Sequence, residues 1–143
     1  MPLVRHRAQI DASVDAVWRH LLDKIERPEL YVPAVTRSQI LARPAEGVVD
    51  RLMYLLGDDG EEREVRERIT ADEATRTAIF LSQGSPIFTG LVTNTILDDG
   101  DGVELDITMN WVERPGIAPQ DAVDWLAMVR DAVEQTKRQV EGD

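Results

Sequence analysis

Glu67 is the residue whose type and position best suit acid–base chemistry. Residues 62–70 have the period of a β-strand, and Glu67 shares one face of it with Arg63, Val65 and Ile69. A carboxylate on an inward face must be paired or hydrated, and its pKa tends to rise, which suits a general acid or base. Two other interpretations stay open. Arg63 or a water molecule neutralises Glu67, or a one-residue shift in register places it outside.

His6 is the second candidate for proton transfer. It lies in an alternating run over residues 3–10 and shares a face with Val4, Ala8 and Ile10. The unperturbed pKa of histidine, near ~6.5, suits proton transfer inside a cavity. The alternative is a histidine that is simply hydrogen-bonded at the rim of the sheet.

Asn94 is a candidate for ligand recognition. It lies between Val92 and Ile96 on one face of a predicted strand. If that face is concave, its amide can form a hydrogen bond with a ligand carbonyl or hydroxyl group. The alternative is a buried amide that is satisfied by Glu67 or by the backbone.

The sequence contains no recognisable metal-binding or cofactor-binding motif. The two histidines, His6 and His20, lie on separate predicted elements, and no HExxH spacing exists. His20 also falls away from the apolar stripe of its helix, so we expect it to be solvated. Cysteine is absent, as are a GxSxG motif and a glycine-rich phosphate loop. The sequence therefore predicts neither a metal site nor a cofactor.

The periodic patterns predict the elements that must position these residues. A strand over residues 3–10 is followed by a helix with Ser13 as N-cap and Pro28 as stop, and then by a short helical piece over 29–31. Six further strands are separated by turns rich in Gly, Pro and Asp. These strands cover residues 35–42, 48–56, 62–70, 75–83, 89–97 and 103–112.

The chain closes with a long predicted helix, for which Pro119 suits the first position. This helix is the only element long enough to cover the apolar face of the last strand. That face carries Leu105, Ile107, Met109 and Trp111. The apolar stripe of the helix consists of Ala122, Trp125, Leu126, Val129, Val133, Thr136 and Val140.

A space between the sheet and this helix is expected, because a strongly curved sheet keeps the helix from touching its whole concave face. Such clefts bind small apolar molecules. Methionine adapts to varied ligand shapes and tryptophan keeps one donor, although ordinary core packing is the default alternative for these residues. The predicted ligand-binding residues are Tyr54, Val65, Glu67, Phe80, Asn94, Ile107, Met109, Trp111, Trp125 and Val129.

The composition narrows the class of partner. The 143 residues include 16 Lys and Arg against 27 Asp and Glu, which gives a net charge of −11. Such a surface repels phosphate backbones and anionic lipids, so nucleic acid and membrane surfaces are poor candidate partners. No apolar run exceeds five residues, too few for membrane insertion. We predict a single cytoplasmic domain over residues 1–143.

The sequence resembles the START/Bet v 1-like helix-grip superfamily, also called SRPBCC. The resemblance begins at the strand-to-helix segment 10–18. Segments 27–35, 64–70 and 111–116, together with Asn94, are similar to its AtaL-like branch, which has no assigned activity. The resemblance implies an α+β helix-grip fold. In that fold a seven-stranded curved antiparallel sheet wraps around a long C-terminal helix, with two short helices between strands 1 and 2.

The superfamily implies a small hydrophobic ligand such as a lipid, a polyketide or an aromatic molecule, bound between the sheet and the C-terminal helix. The alternative is a polyketide cyclase or aromatase that uses Glu67 and His6 to move protons. A third interpretation is an interaction module with a filled core, against which the polar outer face of residues 103–112 argues. A homodimer through an exposed edge strand is a further candidate assembly.

Overall fold

Seven strands form one antiparallel sheet in the computed structural model, which describes residues 3–142. The strands are β1 (Val4–Ile10), β2 (Val35–Ala45), β3 (Val48–Leu56), β4 (Glu62–Asp72), β5 (Thr77–Ser82), β7 (Leu91–Asp98) and β8 (Val103–Met109). Their order in the sheet is β1-β8-β7-β5-β4-β3-β2. The register between β2 and β3 shifts at three places, and such bulges bend a strand.

A separate two-stranded sheet consists of β6 (Phe88–Thr89) and β9 (Val112–Glu113). The sequence predicts continuous strands over 89–97 and 103–112, and both are interrupted here. Gly90 has φ +130°, and a Cβ there would lie 2.5 Å from the carbonyl oxygen of Asn110. The Asn110 side chain also accepts a hydrogen bond from the backbone N–H of Leu91 at 2.7 Å. This close approach requires glycine at position 90.

One helix, α1 (Val14–Glu26), and one 3₁₀ turn, Pro28–Leu30, connect β1 to β2. The prediction of two short helices there is confirmed in part, because the first is a helix of 13 residues and the second is a single 3₁₀ turn. The predicted N-cap is confirmed: the Ser13 hydroxyl accepts a hydrogen bond from the Ala16 N–H at 3.1 Å.

The C-terminal helix α2 spans Trp125–Glu141, so the predicted start at Pro119 was wrong. Asp124 is the N-cap instead, and its carboxylate accepts a hydrogen bond from the Ala127 N–H at 3.0 Å. The indole N–H of Trp125 donates to the Gln120 carbonyl at 3.0 Å. The segment before α2 is thus held by a side chain that the sequence assigned to the helix interior.

The core lies between α2 and the sheet. On β8 the inward residues Leu105, Ile107 and Met109 are buried, and on α2 so are Val129 and Val133. The predicted inner face of this strand is therefore confirmed. Of the described helices, none is long and apolar enough to cross a membrane.

Candidate functional site

A cavity of about 60 Å³ lies between the sheet and α2. Its walls are mostly apolar, and a polar group of side chains closes one part of it. Roughly 10–15 Å³ is the minimum space that holds one water molecule, so this volume is large enough for water. The lining residues are Lys24, Pro28, Val32, Arg51, Met53, Leu55, Glu67, Phe80, Val92, Asn94, Ile107, Met109, Trp111, Met128, Val129 and Ala132.

Seven of the ten predicted ligand-binding residues line this cavity, namely Glu67, Phe80, Asn94, Ile107, Met109, Trp111 and Val129. Val65 and Trp125 line a neighbouring groove instead. Tyr54 does not line either space, because the residues of β3 that face inward are its neighbours Met53 and Leu55. The Arg37 guanidinium lies 3.8 Å from the centre of the Tyr54 ring.

Lys24 and Asn94 join α1 to β7 at the polar end of the cavity. The Lys24 ammonium donates a hydrogen bond to Asn94 Oδ1 at 2.7 Å, and both residues are buried. Burial, assisted by the positive charge of Arg51 and opposed by the negative charge of Glu67, lowers the pKa of Lys24 to about 7. This amine therefore changes its charge near neutral pH.

Arg51 on β3 and Glu67 on β4 form a buried ion pair next to Lys24. Arg51 Nη2 donates to Glu67 Oε1 at 2.8 Å, and the two residues are 2% and 3% exposed. They stand directly opposite each other in the β3–β4 register. The expectation that Glu67 faces inward is confirmed. The residue that neutralises it is Arg51 and not Arg63, which instead pairs with Asp59.

These four residues, Lys24, Arg51, Glu67 and Asn94, are called the buried polar cluster below. Sequence reasoning missed two of its members. Lys24 follows Leu21 by three positions and Val17 by seven, which places it on the buried face of α1. Arg51 alternates with Val49 and Met53, both inward. The same periodicities that identified the core therefore contained the signal for both cations.

Three buried side-chain donors in the described part of the chain have no hydrogen-bond partner: Arg51 Nε, Asn94 Nδ2 and Trp111 Nε1. All three residues line the cavity. Buried polar atoms are nearly always hydrogen-bonded in folded proteins, by protein or by water. The cavity is therefore rich in donors that a ligand or water could satisfy.

A groove of about 460 Å³ adjoins the cavity and is called the outer groove. It is lined by residues 62–66 and 82–88 with Leu55, Trp111 and Trp125, so Leu55 and Trp111 belong to both spaces. Trp111, Trp125 and Phe88 stack around this boundary with ring centres 5.4–5.5 Å apart. Of these three rings, that of Trp111 lines both the cavity and the outer groove.

His6 does not belong to the site. It is half-buried on β1, and its Nε2 lies 3.1 Å from the carboxylate of Glu134 on α2. Strands β8, β7 and β5 lie between β1 and β4, so His6 and Glu67 are not brought together as a proton-transfer pair. His20 is also half-buried and hydrogen-bonded to the Tyr31 hydroxyl at 3.0 Å, so the prediction that it is solvated was wrong.

No group of three or more His, Asp or Glu side chains within residues 3–142 is arranged to hold a metal ion. Among the described residues, the groups of the site that can take part in chemistry are those of the buried polar cluster. It combines an amine that titrates near neutral pH, a buried ion pair and an amide.

The fold is that of the helix-grip class, in which an antiparallel sheet packs against a long C-terminal helix. A protein from Thermus thermophilus, TTHA0849, superposes with a TM-score of 0.83 at 18% identity, covering 99% of this chain and 98% of that one. The Zhui aromatase/cyclase of a Streptomyces species superposes with a TM-score of 0.76 at 19% identity, covering 96% of this chain and 94% of that one. A START superfamily protein from Mycobacterium smegmatis superposes with a TM-score of 0.72 at 16% identity, covering 99% of this chain and 96% of that one.

The chain belongs to the AtaL family, whose model is described as acetylaranotin biosynthesis cluster protein L and matches residues 6–141. The resemblance to the AtaL-like branch is thereby confirmed. No curated protein matches the sequence.

Proposed function

We propose that this chain is a single ligand-binding domain over residues 1–143, which binds a small hydrophobic molecule of the lipid, polyketide or aromatic kind. The observation that supports the proposal is the cavity between the sheet and α2, where apolar side chains surround the buried polar cluster. Small-molecule sites typically combine an apolar lining with a few polar groups. The expected partner is therefore a small molecule and not nucleic acid, which the charge of −11 repels.

The cavity alone is too small to hold a ligand of this kind. Small-molecule sites span roughly 300–1,000 Å³, far more than the 60 Å³ found here. Joining the cavity to the outer groove of about 460 Å³ would reach that range. Binding therefore includes a movement of Leu55 and Trp111, the two side chains that border both spaces.

A fluorescent probe tests the binding function directly. N-phenyl-1-naphthylamine is neutral and brightens in apolar surroundings, so saturable one-to-one binding is the expected result. Ala132 lines the cavity on α2, and Ala132→Leu should weaken the binding by filling that space. Ala127→Leu is the matched control, since Ala127 is on the same helix and lines neither space. Native mass spectrometry of gently purified protein should then identify the natural ligand.

Three results bear against the binding function. They are the absence of saturable probe binding, equal effects of the two leucine variants, and a protein that carries no small molecule in native mass spectrometry. If Ala132→Leu unfolds, Met128→Ala serves instead, because it enlarges the same cavity and should strengthen binding. Melting temperatures of all variants show which of them are folded.

An enzyme of the cyclase or aromatase kind is the second candidate function. The observation that favours it is a titratable amine and an ion pair inside the cavity, where they could move protons. The ligand recovered by native mass spectrometry would be incubated with fresh protein, and loss of water from its mass would reveal cyclisation. In the fraction of the variant that remains folded, Glu67→Gln should abolish most of that conversion if the protein is an enzyme. A carrier has no conversion to lose, and there the folded variant should differ in affinity.

A further inference from the structure

The buried polar cluster has an unbalanced charge. Two basic side chains, Lys24 and Arg51, face a single acid, Glu67, and all three are at most 5% exposed. Within residues 3–142, no other charged side chain lines the cavity. Charge removed from water is costly unless it is compensated. Arg51 is compensated by Glu67, so the positive charge that lacks a counterion is that of Lys24 in its protonated form.

The hydrogen-bonding groups of the cavity are unbalanced in the same direction. The unpartnered buried groups among the described residues are all donors, on Arg51, Asn94 and Trp111. Two acceptors nearby are engaged, since Asn94 Oδ1 accepts from Lys24 and Glu67 Oε1 accepts from Arg51, whereas none of the described residues donates a hydrogen bond to Glu67 Oε2. An ammonium group has three donors, of which Asn94 accepts one. A ligand group placed against the donors of Lys24, Arg51 and Asn94 would accept hydrogen bonds from them.

The position of the cluster tells which end of a ligand it would meet. None of its four residues lines the outer groove, whereas Leu55 and Trp111 line both spaces. A ligand that enters past these two side chains places its leading end against the cluster. Its remaining part then lies among apolar residues such as Met109 and Val129.

We propose that the buried polar cluster binds an oxyanion at the end of the ligand, such as a carboxylate or an enolate, between Lys24, Arg51 and Asn94. This inference rests on the proposed function and names the class of molecule that it takes. An anion supplies both the missing negative charge and the missing acceptors, and charge-assisted hydrogen bonds are about twice as strong as neutral ones. A neutral alcohol supplies neither the charge nor enough lone pairs.

Matched pairs of molecules test the proposal through displacement of N-phenyl-1-naphthylamine. Decanoate is compared with decan-1-ol, and 2-naphthoate with 2-naphthalenemethanol, so that only the head group differs. At pH 7 each acid should displace the probe at a concentration about tenfold or more below that of its alcohol. Acids that displace the probe no better than the alcohols, or not at all, overturn the oxyanion site. Saturable binding of the probe would in that case still uphold the proposed function.

Proton uptake gives a second readout, which needs no variant. Lys24 is faced by Arg51 and Glu67, and its pKa of about 7 leaves it mostly neutral at pH 8. An anion that binds beside it favours the ammonium form, so decanoate should bind with net proton uptake at pH 8 and with less at pH 6. Calorimetry in phosphate and in Tris measures this uptake. Decanoate binding without any proton uptake at pH 8 contradicts the assignment of Lys24.

The sequence offers a matched control for the charge, since its two lysines are Lys24 and Lys137. Lys24→Met should reduce the preference for acids by about tenfold and leave the alcohols nearly unchanged. Lys137→Met removes the same charge far from the cavity, where Lys137 bonds to Glu141, and should change neither. Equal effects of the two variants would show that long-range charge, and not the cluster, selects the acid. Lys24→Arg keeps the charge if Lys24→Met does not fold.

Discussion

Arg51 supplies the hydrogen bond that Pro28 denies to the carbonyl oxygen of Lys24. In a continuing helix that carbonyl accepts from the N–H of residue 28, which proline lacks. Arg51 Nη1 donates to it at 3.2 Å and to the Ile25 carbonyl at 3.0 Å. The end of α1 is therefore held by the same guanidinium that neutralises Glu67. The C-terminal end of α1 and the buried polar cluster are therefore joined through the Arg51 side chain.

Glu67→Gln should destabilise the protein markedly, because it leaves the Arg51 cation buried without its counterion. Breaking a buried pair from one side typically costs about 3–5 kcal/mol. Urea unfolding at pH 7 measures the change in the free energy of unfolding. Glu64→Gln is the control on the same strand, since the Glu64–Arg66 pair is about half exposed and is worth at most about 1 kcal/mol. Similar losses in the two variants would contradict a structural role for the buried pair.

Lys24 should make the protein more stable as the pH rises from 7 to 9. Its pKa is about 7 in the folded state against 10.5 in a free side chain, so between these values the unfolded chain binds more protons. A single group contributes at most about 1.4 kcal/mol per pH unit. The difference in the free energy of unfolding between the native protein and Lys24→Met should therefore grow in favour of the native protein with pH.

The same titration can be observed directly by NMR on lysine labelled with ¹³C. The signal that disappears in Lys24→Met should titrate near pH 7. Lys137→Met is the control for the stability measurement, and its difference from the native protein should lack the slope assigned to Lys24. A Lys24 signal that does not change between pH 6 and 8 would be incompatible with a neutral buried amine.

Period-two and period-3.6 patterns are enough to find the inward faces of this chain. Glu67, Asn94 and the face of β8 lie where alternation places them. The apolar stripe predicted for the last helix was less accurate, because an apolar residue does not necessarily lie on the inward side of a helix. Leu126 is 52% exposed although the predicted stripe of the last helix includes it, whereas Lys24 on α1 is buried. A long side chain with a polar tip can occupy an inward position when a hydrogen-bond partner lies within its reach.

Contacts between distant segments could not be predicted in the same way. The partner of Glu67 depends on the β3–β4 register, which places Arg51 opposite it. The wall between the cavity and the outer groove depends on Leu55 and Trp111, which come from different parts of the chain and line both spaces. Each of these is a tertiary outcome.

Asp106 on the outer face of the sheet should contribute to stability at neutral pH. It is 7% exposed, and Arg5 and Arg7 both donate to its carboxylate. The hydrogen bond from Arg5 is the main cause that lowers the pKa of Asp106 below 3.8, against the opposing effect of burial. Its contribution is therefore present above about pH 5 and is lost as the pH falls through the lowered pKa.

Asp106→Asn should cost about 1–2 kcal/mol at pH 7, since hydrogen bonds to charged groups are worth somewhat more than neutral ones. Urea unfolding at pH 7 and pH 3 measures this cost, which should shrink at the lower pH. Asp101→Asn changes an exposed carboxylate in the turn after β7 and should have little effect at either pH. An equal cost of Asp106→Asn at both pH values would contradict the ionic explanation.

Leu55→Ala should speed the entry of N-phenyl-1-naphthylamine, because Leu55 lines both the cavity and the outer groove. Removing its side chain opens the boundary between the two spaces, so stopped-flow association should become several-fold faster. Leu21→Ala is the matched control. Both leucines are 1% exposed, and each truncation should cost about 3 kcal/mol, but Leu21 lines neither space. If general loosening of the core controls entry, the two variants will accelerate it alike. If the boundary controls it, only Leu55→Ala will.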